Sequence, residues 1–426
     1  MLPKTPTKGM RDFLPDEFAF RQKVLQEIQR TYESFGFTRI ETPAVENIAL
    51  LTSKQGGDNE KLIFKILKRG EKLDNAQNVD EMCDLALRYD LTVPLSRFYA
   101  NNQGKLPSVF KAIQMDNVWR ADRPQKGRFR QFVQCDIDVI GEATNLAETE
   151  LIAATMKTLD NLNKFDASTN EPQKKVFADI TIRMSDRRLL NAVAAHCGFD
   201  EEQRGSFFIS LDKLDKVGID GVLAEIDEFA PDKKQAVAEY LDLCQNNGTL
   251  QAVVDYLGED LPQQVANNIR DIMFVVNSGA TNGSVKFDPT LVRGMGYYTG
   301  TIYEISVGGL NISVGGGGRY DKMIGKMVGT DVPACGFSIG FERIVLLLAE
   351  RGADKLTRQN VAVLVDKGIS TEQLVQVQSL CNALRNDGMC VTLLKKIKNF
   401  GFQLKQLTEQ GYSVKEYFDG TLKDVK

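Results

Sequence analysis

The amino-terminal segment has the hydrophobic pattern of a helix followed by a strand. Val24, Ile28 and Phe35 fall on one face of a helix predicted over 16–35, and a glycine follows its last turn. A short strand is predicted over 37–41. Many α/β proteins share this order of elements, so the pattern indicates a mixed fold without selecting one.

The centre of the chain is β-rich, with strands predicted over 109–120 and 128–140 and a loop over 121–127. Side chains alternate across the second strand. One set is mostly apolar and is predicted to face the core: Phe129, Gln131, Val133, Cys135, Ile137 and Val139. The opposite set is polar around one aromatic ring: Arg128, Arg130, Phe132, Gln134, Asp136 and Asp138. Either this set faces water, or it forms the floor of a site for a nucleotide and a small polar molecule.

In the rest of the chain the predicted secondary structure changes twice. Short amphipathic helices over about 166–277 indicate an inserted helical domain, and glycine-rich β structure resumes over 286–340 before an apolar helix over 341–351. After a linker, strands and helices alternate as in a small α/β domain, at 361–365, 371–386, 389–394 and 400–410. Only 411–426 follows, so this last domain is expected to be short.

Composition narrows the chemistry. The chain has 426 residues, 42% of them hydrophobic, and a net charge of −4, which suits a multidomain globular protein. No secretory signal or membrane-spanning stretch is evident, so a cytoplasmic protein is expected. The seven cysteines are predicted to be buried and reduced, because their number is odd and no CxxC spacing occurs.

The single histidine, His196, lies at helical spacing from Leu189 and Val193 and is predicted to be structural. Catalysis by a histidine base, a serine–histidine triad or a histidine-held metal is therefore not expected, and no protein metal site is predicted. Arginine, carboxylate, glutamine and tyrosine side chains are left to carry the chemistry.

Three glycine-containing segments are the other candidates for a ligand site. They are 291–304, which contains Arg293, 315–321, with four consecutive glycines, and 335–343, which ends in Glu342 and Arg343. Each could equally be a structural turn or strand. The four glycines lack the Lys-Ser/Thr that a phosphate loop requires, and no dinucleotide-binding fingerprint is present.

Taken in order, these segments resemble the class II aminoacyl-tRNA synthetases, and among them the histidine–tRNA ligases. The helix and strand that lead to Pro43 are similar to the first motif of the class, 119–134 to the second, and 336–343 to the third. Four further segments are similar to signatures of the histidine enzymes: Gly9–Asp12, Leu87–Pro94, Leu291–Tyr298 and Gly317–Asp321.

The resemblance implies an α+β fold whose catalytic core is an antiparallel sheet flanked by helices. The core is expected in 1–165 and 278–352, the helical insertion in 166–277, and a shortened anticodon-binding-like α/β domain in 358–426. The implied activity is activation of histidine with ATP, which carries Mg²⁺, and transfer of the histidyl group to histidine tRNA. A homodimer without a membrane partner is also implied.

The resemblance also implies roles for individual residues. The expected catalytic residues are Arg120, Arg293 and Gln134. The expected ATP-binding residues are Arg120, Asp122, Arg128, Phe132 and Arg343. The expected histidine-binding residues are Asp90, Thr92, Arg120, Gln134, Asp138, Arg293, Tyr297, Tyr298 and Tyr320. Contacts with tRNA are expected from Arg123, Gln125 and Lys126.

Two departures from the family pattern leave an alternative open. Gly296 stands where the family usually has aspartate, and the carboxyl-terminal domain is expected to lack strands. A catalytically inactive relative serves as regulatory subunit of ATP phosphoribosyltransferase. A generic nucleotide-binding regulator is a third possibility. The presence of all the implied arginines and of the loop Arg123–Arg128 favours the enzyme.

Overall fold

The computed structural model describes residues 2–52, 61–78, 81–279, 283–294, 296–307, 310–353 and 360–425. The chain divides into two compact units, Met1–Ala353 and Asp354–Lys426. No described helix is both long and apolar enough to cross a membrane.

Within the described residues, the strands have the following bounds: β1 (Thr38–Arg39), β2 (Val45–Asn47), β3 (Lys65–Leu67), β4 (Cys83–Leu87), β5 (Phe110–Trp119), β6 (Gln131–Ile140), β7 (Ile180–Asp186), β8 (Ser284–Phe287), β9 (Thr301–Val307), β10 (Leu310–Arg319), β11 (Ala334–Gly340), β12 (Asn360–Val365), β13 (Cys390–Lys395), β14 (Tyr412–Phe418) and β15 (Thr421–Asp424).

The α-helices of the same residues are α1 (Pro15–Ser34), α2 (Ile48–Leu51), α3 (Glu71–Asp74), α4 (Thr92–Asn102), α5 (Leu146–Leu162), α6 (Arg187–His196), α7 (Glu201–Leu211), α8 (Leu214–Phe229), α9 (Lys234–Asn247), α10 (Leu250–Leu257), α11 (Gln263–Gly279), α12 (Asp321–Val328), α13 (Phe341–Glu350), α14 (Thr371–Asn386) and α15 (Phe400–Glu409).

An eight-stranded sheet in the order β1-β5-β6-β11-β10-β9-β7-β8 organises the first unit. Its six inner strands pair antiparallel, while the outermost pairs, β1–β5 and β7–β8, are parallel. Neighbouring strands in the sheet are distant in sequence at β6–β11 and β9–β7, so this arrangement depends on tertiary packing. The predicted α+β fold with an antiparallel core sheet is confirmed.

The apolar side of the sheet packs against helices, as the alternation in β6 predicts. Cys135, Ile137 and Val139 of β6 are buried in the largest core cluster together with Val24 and Ile28 of α1. Removing such side chains from water is the main favourable term in folding, at roughly 25 cal/mol per Å². The helices therefore cover one face of the sheet and leave the polar residues of β6 on the other.

Two expectations about secondary structure are wrong. The region predicted to be wholly helical contains strand β7, which joins the main sheet between β9 and β8. Its alternating pattern Ile180, Ile182 and Met184, all buried, is a strand signal within a segment dominated by charged residues. The carboxyl-terminal unit also has strands beyond residue 410, namely β14 and β15.

The second unit is a four-stranded sheet in the order β13-β12-β14-β15. Strand β12 lies in the middle and pairs in parallel with both β13 and β14. All but the first of its residues are buried, as expected for a parallel strand covered on both faces. Ser370 begins α14 with a capping box that also involves Gln373.

Candidate active site

A cleft of about 1030 Å³ lies over the polar face of the main sheet. Strands β6, β11, β10 and β9 contribute to its lining, and residues of the helical region border it. Most of the residues singled out from the sequence line it: Asp90, Thr92, Arg120, Asp122, Gln125, Arg128, Phe132, Gln134, Asp138, Arg293, Tyr297, Tyr298, Tyr320 and Arg343. One cavity thus brings together residues up to 253 positions apart, from Asp90 to Arg343.

The floor of the cleft is formed by rows of residues that face each other across strands. One row runs from Asp136 through Ser338 and Gly316 to Glu304 and Arg183. Cross-strand partners project from the same face of a sheet. In this row the pair Glu304 and Arg183 lies beside Gly316, which has no side chain to fill the floor of the cleft.

A second row contains Asp138, Gly336 and Gly318. A Cβ atom on Gly336 would lie 2.0 Å from Oδ1 of Asp138, and one on Gly318 would lie 2.9 Å from the Tyr298 ring. These glycines therefore make room for protein side chains that lie across the sheet. The glycines of these segments are predicted to admit a ligand, and in the structure they also admit protein side chains.

Arg120 is held beside the polar residues of β6. Its Nε donates to the carbonyl oxygen of Tyr89 at 3.0 Å, and its Nη2 donates to Oε1 of Gln134 at 3.4 Å. The guanidinium also lies over two rings, with its carbon 4.3 Å from the centroid of Tyr89 and 5.2 Å from that of Phe132. These contacts orient the guanidinium, and its Nη1 makes no hydrogen bond among the described residues.

Arg293 lies flat on the floor of the cleft. A Cβ atom on Gly316 would come within 2.8 Å of its guanidinium carbon. Its Nη1 donates to Oε2 of Glu304 at 2.8 Å, and its Nε is buried without a hydrogen-bond partner among the described residues. A buried donor without a partner is costly, so this group is suited to an incoming acceptor.

Arg343 and Arg128 add two further cations to the same cavity. Arg343, in the first turn of α13, donates from Nη1 to the carbonyl oxygen of Ser313. Burial lowers the pKa of the Arg343 guanidinium, and the charge of Arg128 lowers it further. Like charges held together in this way favour an anion between them. We call Arg120, Arg128, Arg293 and Arg343 the arginine end of the cleft.

The other end of the cleft combines buried carboxyl groups with tyrosines. Asp138 is buried, and its Oδ1 accepts a hydrogen bond from the Tyr320 hydroxyl at 2.6 Å. Oδ2 of Asp138 is buried and has no partner among the described residues. Burial raises the pKa of Asp138 to about 7, against the effect of the Tyr320 hydrogen bond and with a contribution from the charge of Asp90.

The remaining members of this end surround that carboxyl group. The rings of Tyr297 and Tyr298 lie 4.8 Å apart, and Tyr297 meets Tyr320 edge-on at 6.1 Å. Asp90 is buried, and its Oδ1 accepts from the backbone N–H of Val93 at the start of α4. We call Asp90, Asp138, Tyr297, Tyr298 and Tyr320 the tyrosine end of the cleft.

The loop between β5 and β6 lies partly outside the cleft. Arg123, Gln125 and Lys126 are exposed, and of these only Gln125 lines the cavity. Lys126 pairs with Glu350 of α13 at 2.7 Å. The loop therefore presents cations at the border of the cavity, where water screens them.

Several smaller expectations need correction. Phe129 lines the cleft instead of the core, because β6 begins only at Gln131 and the alternation does not extend back to it. His196 is exposed at the end of α6, where its Nδ1 lies 2.7 Å from Oδ2 of Asp260. The cysteines are unpaired, but Cys390 is exposed.

Gly296 is exposed in a turn and does not line the cavity.

The helical region and β9 bring to the cleft charged residues that the sequence patterns do not indicate. They are Arg183, Asp212, Asp215, Lys216 and Glu304. Burial raises the pKa of Asp212, whereas the charges of Arg293 and Lys216 oppose that rise. Glu304 is the last residue of the glycine-containing segment 291–304, and that position is the one signal for it in the sequence.

Comparisons with known proteins show which family the chain belongs to. An antiparallel sheet with an arginine-lined cleft is the arrangement expected of a class II aminoacyl-tRNA synthetase. A family model described as histidyl-tRNA synthetase matches residues 9–344. The histidine–tRNA ligase of Leifsonia xyli subsp. xyli is 44% identical over 426 residues, covering 96% of this chain and 94% of the relative. The chain belongs to the histidyl-tRNA synthetase family.

Solved structures give the same result for the fold. Histidyl-tRNA synthetase from Nostoc sp. PCC 7120 superposes with a TM-score of 0.74 at 26% identity, covering 100% of this chain and 97% of that one. A protein from Bacillus halodurans C, described as an ATP phosphoribosyltransferase regulatory subunit/histidyl-tRNA synthetase, gives 0.72 at 19% identity, covering 97% of this chain and 98% of that one. The second likeness concerns the fold alone.

Proposed function

We propose that this chain activates histidine with ATP and transfers the histidyl group to the 3′ end of histidine tRNA. Its family makes it an aminoacyl-tRNA ligase, and the cleft supplies a chemical reason for the choice of amino acid. The observation that carries the proposal is the buried Oδ2 of Asp138, which lies among three tyrosines and has no hydrogen-bond partner in the described part of the chain. An imidazole N–H would provide the missing donor.

The tyrosine end suits an imidazole for two reasons. A carboxylate accepts one ring N–H, and the hydroxyl of Tyr298 can meet the second ring nitrogen as donor or acceptor. The aromatic rings of Tyr297 and Tyr320 provide flat walls for a planar ligand. Asp90, Thr92 and Gln134 are proposed to bind the α-amino group, since all three line the same cavity.

The arginine end suits the nucleotide. Arg120 is proposed to hold the α-phosphate and the histidine carboxylate, while Arg128 and Arg343 bind the outer phosphates. Phe132 would stack on adenine beside Asp122. Its ring lies 5.2 Å from the guanidinium carbon of Arg120, so base and phosphate would lie next to each other.

The chemistry follows from these positions. The histidine carboxylate attacks the α-phosphorus in line, and pyrophosphate leaves with the electron pair of the broken P–O bond. The tRNA hydroxyl then attacks the carbonyl carbon of the adenylate and AMP leaves. Arg120 and Arg293 stabilise the negative charge that develops on the α-phosphoryl oxygens. Gln134 positions the amino acid, so that catalysis consists of orientation and charge stabilisation.

Magnesium is proposed to arrive on the phosphates of ATP. Within the described residues, no group of three His, Cys, Asp or Glu side chains could hold a metal ion. Glu304 of the cleft is already paired with Arg293.

The remaining partners follow the family. The exposed side chains Arg123, Gln125 and Lys126 are proposed to contact the acceptor end of tRNA at the border of the cavity. A homodimer in the cytoplasm is proposed for the same reason. The carboxyl-terminal unit has four strands, which supports a folded domain there, and reading of the anticodon by it stays a proposal.

The regulatory-subunit alternative is the weaker of the two. The cleft contains the full set of arginines implied for catalysis, and the identity to the Leifsonia ligase is 44%. The likeness to the Bacillus protein, at 19% identity, does not bear on activity.

Two assays with the purified chain test the proposal. Histidine-dependent exchange of pyrophosphate into ATP is expected, and so is charging of histidine tRNA. Exchange without charging would contradict the transfer step alone. A folded protein that catalyses neither reaction would contradict the proposed activity and favour the regulatory role.

A further inference from the structure

Arg183 makes contacts that converge on Arg293. Its Nη1 donates to Oδ2 of Asp215 at 2.9 Å and also lies 3.5 Å from Oε1 of Glu304. Oε2 of Glu304 accepts from Nη1 of Arg293 at 2.8 Å. Glu304 and Arg183 face each other across β9 and β7, and Gly316 faces Glu304 from the other side. Glu304 therefore bridges the two arginines. Gly316, its neighbour across the strands, has no side chain that could contact either of them.

The backbone that carries Arg293 is held by the same arginine. Nε of Arg183 donates to Oδ2 of Asp288 at 2.5 Å. Oδ1 of Asp288 accepts from the N–H and the hydroxyl of Thr290 at 2.9 and 2.8 Å, which closes a turn three residues before Arg293. The N–H of Asp288 also donates to the carbonyl oxygen of Met184 at 2.8 Å.

We propose that Arg183 is a positioning residue for adenylate formation, which fixes Arg293 by holding both Glu304 and Asp288. The inference rests on the role proposed above for Arg293. Arg183 has the geometry for this task, since a planar guanidinium can engage two carboxylates at once and an ammonium cannot do so in fixed directions. Its side chain is 26% exposed, so these pairs are only partly screened by water.

The need for such a residue follows from the surroundings of Arg293. Its guanidinium rests on Gly316, which offers backbone but no side chain to confine it. Nη1 of Arg293 has Glu304 as its partner, and Nε has none among the described residues. If Glu304 turned away, the arginine could leave the floor. A displacement of about 1 Å can lower a rate by roughly 100-fold.

The first measurement compares Arg183→Met with the wild-type chain in pyrophosphate exchange. We expect kcat to fall by about 10- to 100-fold, while KM for ATP and for histidine changes by less than about threefold, because the binding groups remain. Arg183→Lys should recover part of kcat, since it restores the positive charge without the planar set of donors of a guanidinium. An unchanged kcat, or a loss confined to KM, would overturn the inference.

A double-variant cycle separates positioning from general damage. If Arg183 acts through Arg293, adding Arg183→Met to Arg293→Ala should lower the exchange rate no further. If Arg183→Met lowered the exchange rate by the same factor in the wild-type chain and in Arg293→Ala, the inference would be overturned while the role of Arg293 stayed intact. A wild-type chain without histidine-dependent exchange would instead overturn the proposed function, and this inference with it.

Two further variants guard against misfolding. Arg188→Met removes another arginine of the same region, whose carboxylate partner, Asp186, does not face the cleft. It should retain kcat within about threefold, as expected for a partly exposed ion pair. If Arg183→Met fails to fold, the nearly isosteric Glu304→Gln replaces it. A folded Glu304→Gln enzyme with a normal kcat would contradict the bridge.

Discussion

The two ends of the cleft have opposite electrostatic problems. At the arginine end, burial and the charge of Arg128 lower the pKa of Arg343. At the tyrosine end, burial and the charge of Asp90 raise the pKa of Asp138 to about 7. Each end therefore disfavours its own charged form. A ligand with an anionic part and an N–H-donating part would relieve both, and ATP and histidine together have these parts.

The ends also differ in how their side chains are held. Asp138 lies on a strand, in the room that Gly336 leaves, and its carboxyl group is held by the Tyr320 hydroxyl. The guanidinium of Arg293 stands at the end of a long side chain, and its position depends on the hydrogen bond to Glu304. The carboxyl group proposed to select the amino acid is thus attached to a strand of the sheet, whereas the arginine proposed to act on the phosphate needs support from neighbouring side chains.

The strongest test of the arginine end is Arg293→Ala. We expect the exchange rate to fall by about 100- to 1000-fold, as for loss of a donor that stabilises transition-state charge. The fold should persist, since the side chain lies in the cleft and not in the core. Circular dichroism and thermal unfolding provide the control. A nearly wild-type rate in the folded variant would refute the catalytic role.

Asp138→Asn addresses the tyrosine end. The amide presents one N–H pair where the cleft needs an acceptor, so KM for histidine should rise by about 10- to 100-fold. KM for ATP should change far less, because the arginine end is untouched. Steady-state exchange kinetics measure both constants. A parallel rise in the two values would show that the ends are not separable.

The pH dependence sharpens the same comparison. Because the pKa of Asp138 is raised to about 7, the carboxyl group becomes protonated as pH falls through 7 and loses its capacity to accept at both oxygens. KM for histidine should therefore rise about tenfold from pH 8 to pH 6. In Asp138→Asn this rise of KM at low pH should be missing, while ionisation of free histidine affects the variant and the wild-type chain equally. Identical pH profiles would contradict the assignment.

The smallest effect is expected at the border of the cleft. Lys126 is 77% exposed and pairs with Glu350, so Lys126→Ala should leave exchange unchanged and raise KM for tRNA by no more than about threefold. Glu350→Gln, which frees Lys126, provides the matched control for the ion pair. A large loss in exchange would show that the loop belongs to the arginine end itself.

Local patterns were sufficient for the parts of the molecule that a single element encodes. The alternation of β6 predicts its core-facing residues, and Cys135, Ile137 and Val139 are buried in the core. Gln131, at the first position of the strand, was predicted to face the core and is exposed. The helix predicted over 16–35 corresponds to α1, Pro15–Ser34. The same alternation places Gln134 and Asp138 on the opposite face, where they line the cleft. These predictions hold because periodicity of side chains is a property of one chain segment.

Local patterns failed where neighbouring residues obscure a signal. Strand β7 lies in a region dominated by charged helices, and its buried residues Ile180, Ile182 and Met184 form too short an alternation to stand out. Strand β15, at the edge of the second sheet, escaped because it has four residues and no buried side chain. Edge strands of this length derive their stability from pairing, which a window of sequence does not contain.

The sequence by itself determined the residue types, their periodicity and, through the order of its motifs, the family. Tertiary structure alone decided which charges meet. Arg183 and Glu304 are 121 positions apart in the chain, and they face each other only because β7 pairs with β9. Likewise, Gly336 makes room for Asp138 because β11 pairs with β6. Ion pairs and close approaches depend on distance in space, and that distance is set by strand order and register.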